Sequence, residues 1–229
     1  MTTNRAVSIP SGDVRLPGTL TLPRAAHEQP PCGVVLFAHG SGSSRLSPRN
    51  VFVAERLNAA GVGTLLMDLL TPEEDRDEAA RFDIALLTAR LADAVRFTTE
   101  EAATARLPIG LFGASTGAAA ALRVAATMPD DIQAVVSRGG RPDLAGQRAM
   151  ASVRAATLFI VGGHDHGVIE LNEAAYAQLA CKKKLAIVPR ATHLFPEPGA
   201  LEEVARLAAE WFRGHLRAAV AGAGEAPPV

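Results

Sequence analysis

Cysteine is scarce in this sequence. Cys32 and Cys181 are the two among 229 residues, too few for a disulfide framework. An excess of one charge is also missing: 23 basic side chains face 24 acidic ones, a formal net charge of −1. That balance argues against nucleic acid or a polybasic membrane contact, both of which call for a basic excess. There is no apolar run of the ~18 residues that a membrane helix needs. Met1 to Pro10 holds no apolar core of signal-peptide length. Collagen-like, disulfide-knot, coiled-coil and disordered chains are excluded by a composition that is 48% hydrophobic and 21% charged. The expectation is a soluble, cytoplasmic, globular protein. One domain of this length buries roughly 70–75% of its unfolded surface and needs no staples.

What is present is an alternation. Short apolar runs at Gly33–Ala38, Gly63–Met67, Leu107–Phe112, Ala134–Val136, Ala156–Val161 and Leu185–Val188 have strand length. Their near-continuous hydrophobicity predicts strands covered on both faces. Between them, Val51–Ala60, Ile84–Phe97, Gly117–Met128, Leu171–Leu179 and Leu201–Leu216 carry helical spacing. Strand–helix alternation predicts an α/β fold, a mostly parallel sheet with helices on both faces. Val7–Ile9 and Val14–Leu22, separated by the turn-rich Pro10–Asp13, read as an antiparallel hairpin on the sheet edge. The acidic stretch 72–82 reads as a solvated loop or helix start. Residues 1–220 make one domain, and the Ala/Gly/Pro-rich tail 221–229 is expected to be disordered.

Gly113-Ala-Ser115-Thr-Gly117 lies between an apolar run and a helix. Glycine at both ends suits a turn too tight for flanking side chains. Such an elbow lifts a serine hydroxyl to a helix N-terminus, whose amides stabilise developing negative charge. The alternative is a glycine-rich loop used only for close strand–helix packing. Serine becomes a nucleophile only with a positioned base. Asp165 and His193 follow later runs, 50 and 28 residues further on in turn. Both sit just past strand carboxyl ends, where open α/β sheets bind ligands. Asp165 could instead cap a helix near Val168, and His193 could be a surface residue. Asp68 is the fallback acid. His164, Asp165 and His166 invite a metal reading, but neighbours on one loop rarely point at one ion, so no metal is assigned.

Val34 to Phe37 runs into Ala38-His39-Gly40-Ser41-Gly42, a strand entering a glycine-rich turn. The amides of Ser41 and Thr116 are the candidate oxyanion donors, and His39 reads as a structural ring bonded to loop backbone. Arg45, Arg49, Arg138 and Arg141 cluster in loops at the same edge. Arg138 and Arg141 are the candidate substrate contacts, because guanidinium forks hold carboxylates. The alternative is that these arginines pair with Asp143, Asp68 or Glu170.

On these residues the chain resembles the α/β-hydrolase superfamily, specifically its dienelactone-hydrolase-like branch. The resemblance spans nearly the whole chain, from His39-Gly-Ser-Gly42 to His193-Leu-Phe195. It implies a catalytic triad of Ser115, Asp165 and His193, no cofactor, and acyl transfer on a small-molecule ester. The namesake enzymes carry cysteine in the elbow where this chain has serine, so the resemblance implies a serine carboxylesterase. About twenty residues separate Val136 from the next strand, too few for a large lid, which favours small or extended esters. Two other readings stay open. Gly110–Gly117 followed by Arg138 superficially matches an NADP-type oxidoreductase, although that leaves Asp165 and His193 without a task. A non-catalytic hydrolase-fold binding protein is the other. A homodimer is compatible with the sequence.

Overall fold

The computed structural model describes residues 2–23 and 31–216. The expected disordered tail, 221–229, lies outside the described residues. In chain order the elements are β1 (Thr2–Ser11), β2 (Val14–Pro23), β3 (Val34–Ala38), α1 (Pro48–Ala59), β4 (Gly63–Met67), α2 (Glu78–Phe82), α3 (Ile84–Glu100), β5 (Ile109–Ala114), α4 (Thr116–Thr127), β6 (Ile132–Arg138), α5 (Gln147–Ser152), β7 (Ala156–Gly162), α6 (His166–Gln178), β8 (Lys183–Val188) and α7 (Ala200–His215). The strands form one sheet in the order β1-β2-β4-β3-β5-β6-β7-β8. From β4 to β8 all neighbours are parallel, whereas the β1–β2 hairpin joins β4 antiparallel.

Strand alternation sorts the core into two layers. Val34, Leu36, Leu65, Leu111, Val135 and Phe159 face one way, onto α3, α4 and α6. Val35, Phe37, Leu66, Phe112, Val136 and Ile160 face the other way, onto α1 and α7. Trp211 and Phe212 anchor α7 there, and Trp211 Nε1 donates to Ala156 O at 3.1 Å. Among the described residues no helix is long and apolar enough to cross a membrane.

The differences from the sequence reading have local causes. β8 is an edge strand with only Val188 buried, so its apolar run is not covered on both faces; Ile187 is 41% exposed. β1 extends back to Thr2 through polar residues, because pairing with β2 along its full length holds them. Gly12, at φ +57°, makes the tight turn between these strands. α6 starts at His166, earlier than its apolar spacing shows. The acidic stretch holds a 3₁₀ turn at Glu74–Arg76 and the short α2. Between β6 and β7 the chain forms a 3₁₀ turn at Pro142–Ala145 and α5, which pack on α4 and α6 rather than building a lid.

Candidate active site

The sheet order reverses direction at β3 and β5, and the carboxyl ends of these strands open a crevice. Ser115 stands there, between β5 and α4, at φ +50° and ψ −120°. Glycines permit this turn. A Cβ on Gly113 would lie 2.4 Å from Ala118 Cα, and one on Gly117 would lie 2.2 Å from Ala38 O. The glycines thus let α4 press onto β5 and β3. The end of β6 and the segment after it brace the turn: Ser115 N–H donates to Arg138 O at 3.3 Å, and Arg141 N–H donates to Ser115 O at 3.1 Å. Asn172, fully buried, holds that segment through Gly140 O at 3.0 Å.

Asp165 and His193 come together because β7 and β8 are neighbours. A Cβ on Gly162 would lie 2.4 Å from Ala191 O, so the two following loops touch, and His164 N–H donates to Ala191 O at 2.9 Å. His193 Nδ1 lies 2.6 Å from Asp165 Oδ2. A carboxylate can only accept, so Nδ1 carries the proton and Nε2 presents a lone pair. Asp165 precedes α6 without a side-chain capping bond; its carboxylate faces the imidazole instead. Glu197 fixes the histidine loop by accepting from Thr192 N–H at 3.0 Å and from its hydroxyl at 2.6 Å. The hydroxyl bond is the main cause that holds the Glu197 carboxyl below its usual range.

Ser115 and His193 line one cavity of about 190 Å³, with Gly40, Ser41, Arg49, Arg138 and Leu194 also in its wall. Ser41 and Thr116 both border a small gap beside the elbow, together with His39 and Gly40. The turn is close to the serine: a Cβ on Gly40 would lie 3.0 Å from Ser115 Cβ. His39 is buried, with Nδ1 donating to Gly40 O at 3.0 Å and Nε2 accepting from Leu69 N–H at 3.0 Å. Burial pushes its pKa below the ordinary imidazole value. The fallback acid Asp68 is taken by Arg45, through its backbone N–H at 2.7 Å and its guanidinium at 2.5 Å. His164 and His166 have ring centroids 6.4 Å apart. A larger groove of about 490 Å³ runs along β2, β4 and α1 and is lined by Thr19, Thr21, Asn58 and Thr64, without a nucleophile–base pair.

The four arginines divide. Arg45 joins Asp68, and Arg141 forks onto Asp143 at 2.9 and 2.7 Å. Arg141 is therefore turned to Asp143, and it does not line the serine cavity. Arg49 and Arg138 do line it. Arg138 reaches the neutral Asn50 Oδ1 at 3.4 Å and lies 6.0 Å from the ring centroid of Phe195. The sequence reading does not single out Asn50 or Phe195 as contacts of Arg138. The only signal for Asn50 is a polar residue inside an otherwise apolar helical face, and Phe195 adopts φ +58° beside His193.

No family model matches the chain. Two Mycobacterium tuberculosis proteins provisionally named phosphoribosyl transferases are 55% identical to it over 210 residues. Those residues are 92% of this chain but 46% of either relative, so the chain spans about half their length. The crystal structure of a dienelactone hydrolase from Anabaena variabilis is 54% identical, covers 94% of this chain and 99% of its own, and superposes with a TM-score of 0.89. A lidless α/β serine hydrolase from Xanthomonas campestris shares the fold at 19% identity, with a TM-score of 0.75 over 94% of this chain and 96% of its own. Identity above half along nearly the full length of a dienelactone hydrolase, with a TM-score of 0.89, means that the chain belongs to the dienelactone-hydrolase-like branch of the α/β-hydrolase superfamily.

Proposed function

We propose that this protein is a serine carboxylesterase of the cytoplasm, acting on small esters through an acyl-enzyme. The observation that carries the reading is the 2.6 Å contact between His193 Nδ1 and Asp165 Oδ2, with His193 and the strained Ser115 in the wall of one cavity. The dienelactone hydrolase of 54% identity and the serine hydrolase of the same fold support it.

In this reading Ser115 Oγ attacks the ester carbonyl carbon while His193 Nε2 takes its proton. The carbonyl oxygen becomes an oxyanion, held by the amides of Ser41 and Thr116. The tetrahedral intermediate collapses, the C–O bond to the alcohol breaks, and His193 returns the proton to the leaving oxygen. Water then attacks the acyl-enzyme, again losing a proton to His193, and the acid is released as Ser115 regains its hydrogen. Asp165 keeps the imidazole in the productive tautomer and stabilises the imidazolium. Arg138 contacts substrate from the cavity wall; Arg141 stays with Asp143. With no lid among the described residues and only about 190 Å³ beside the serine, short acyl groups suit the site.

The test is turnover of p-nitrophenyl acetate and butyrate by the wild type beside Ser115→Ala. A loss of roughly a thousandfold or more in kcat is expected. Equal turnover by two equally folded proteins would remove Ser115 from the reaction.

A further inference from the structure

Beside the serine stand two cations without a counter-charge, Arg138 buried and Arg49 half-buried. Among the described residues, Arg45 and Arg141 are ion-paired, whereas Arg49 and Arg138 are not. The Nε atoms of both Arg49 and Arg138 are buried without a hydrogen-bond partner. Arg138 is 5% exposed, and the side-chain acceptor it reaches, Asn50, is neutral. Burial first, and then the nearby charge of Arg49, lower its pKa to about 10, which still leaves it protonated at neutral pH. A buried charge is unfavourable unless an opposite charge or hydrogen bonds compensate it. Here the chain supplies neither in full, and both residues line the cavity that holds Ser115 and His193.

We propose that Arg49 and Arg138 form a subsite for a doubly charged oxyanion, a phosphate monoester group carried by the ester substrate. A monocarboxylate would neutralise one cation and could be satisfied by a single guanidinium fork. A phosphate dianion neutralises both, and its terminal oxygens can accept from N–H groups of the two guanidiniums together. The small cavity admits such a head group with a short carbon linker to the scissile carbonyl. The substrate class rests on the reading of Ser115 as nucleophile; the anion subsite itself does not.

The experiment separates the two. The full chain is labelled at Ser115 with a fluorophosphonate probe, with and without inorganic phosphate, and with acetate at matched ionic strength. Phosphate binding is measured in parallel by calorimetry on unlabelled protein. Expected are binding of phosphate at least tenfold tighter than of acetate, slowed labelling in phosphate, and a tenfold or greater weakening of phosphate binding in Arg49→Gln. Equal effects of phosphate and acetate, no binding of phosphate, or unchanged binding in a folded Arg49→Gln would each overturn the subsite. The wild-type comparisons decide the matter even if that variant does not fold. Arg49-dependent phosphate binding without any labelling would keep the subsite and remove the esterase reading. Labelling that phosphate leaves untouched would do the reverse.

Discussion

Replacing Ser115 by glycine should make the protein more stable while abolishing the proposed chemistry. The residue sits at φ +50° and ψ −120°, a backbone region that glycine occupies freely and other residues do not. Holding an L-residue there costs on the order of 1–3 kcal/mol. Glycine removes that strain but adds unfolded-chain entropy worth about 0.4–1 kcal/mol. With mid-range values of both, the net gain is about 1.3 kcal/mol. For a chain of this length each kcal/mol moves the melting temperature by about 2–4 °C, so Ser115→Gly should melt about 3–5 °C above wild type. Ser115→Ala keeps the Cβ and the strain, and should melt close to wild type. The assay is calorimetric melting of the three proteins side by side in one buffer at neutral pH. A glycine variant that melts at or below the alanine variant would refute the strain argument. The energy would then come from elsewhere, and the turn could not be read as a conformation retained for its hydroxyl.

Asp165→Asn preserves shape but offers an amide to His193 Nδ1 and favours the wrong tautomer; kcat for nitrophenyl esters should fall by roughly a thousandfold to ten-thousandfold with melting little changed. Gly117→Ala drives a methyl to 2.2 Å from Ala38 O, in backbone that cannot swing away. Circular dichroism in urea should show a loss of about 3 kcal/mol or more, or no folded protein. His39 has a folded pKa below its unfolded value, so the unfolded chain binds the proton first. Its contribution is present above about pH 6.5 and is lost as pH falls below it. Urea midpoints between pH 7.5 and 5 should decline in wild type and decline less in His39→Gln; parallel declines would remove His39 as a cause.

Much of the architecture was readable along the chain because local patterns decide it. Five apolar runs buried on both faces became the central parallel strands, and the helices between them have their expected apolar faces. β8 misled because an apolar run looks the same whether one face or two is covered; its place at the end of the sheet decides that. The short helices α2 and α5 span five and six residues, too few to show a period.

The site divides along the same line. Gly113, Ser115 and Gly117 are adjacent in sequence, and strand, turn and helix follow one another without help from distant residues, so the elbow could be located from the chain alone. The order of Ser115, Asp165 and His193 past the carboxyl ends of three separate strands was legible for the same reason. Their meeting was not, because the 2.6 Å contact exists only where β7 and β8 lie side by side and Gly162 lets the next loop close over it. Nor could the sequence sort its arginines. Read as loop residues, four guanidinium groups of one residue type have equal claims on the nearby carboxylates; Arg49 in fact lies in the first turn of α1 and Arg138 ends β6. Only packing in three dimensions gave Asp68 to Arg45 and Asp143 to Arg141, and left Arg49 and Arg138 without a carboxylate in the wall of the serine cavity. Local backbone preference therefore determined where the elbow forms, while the distances that decide charge pairing arise only when separate strands and loops converge.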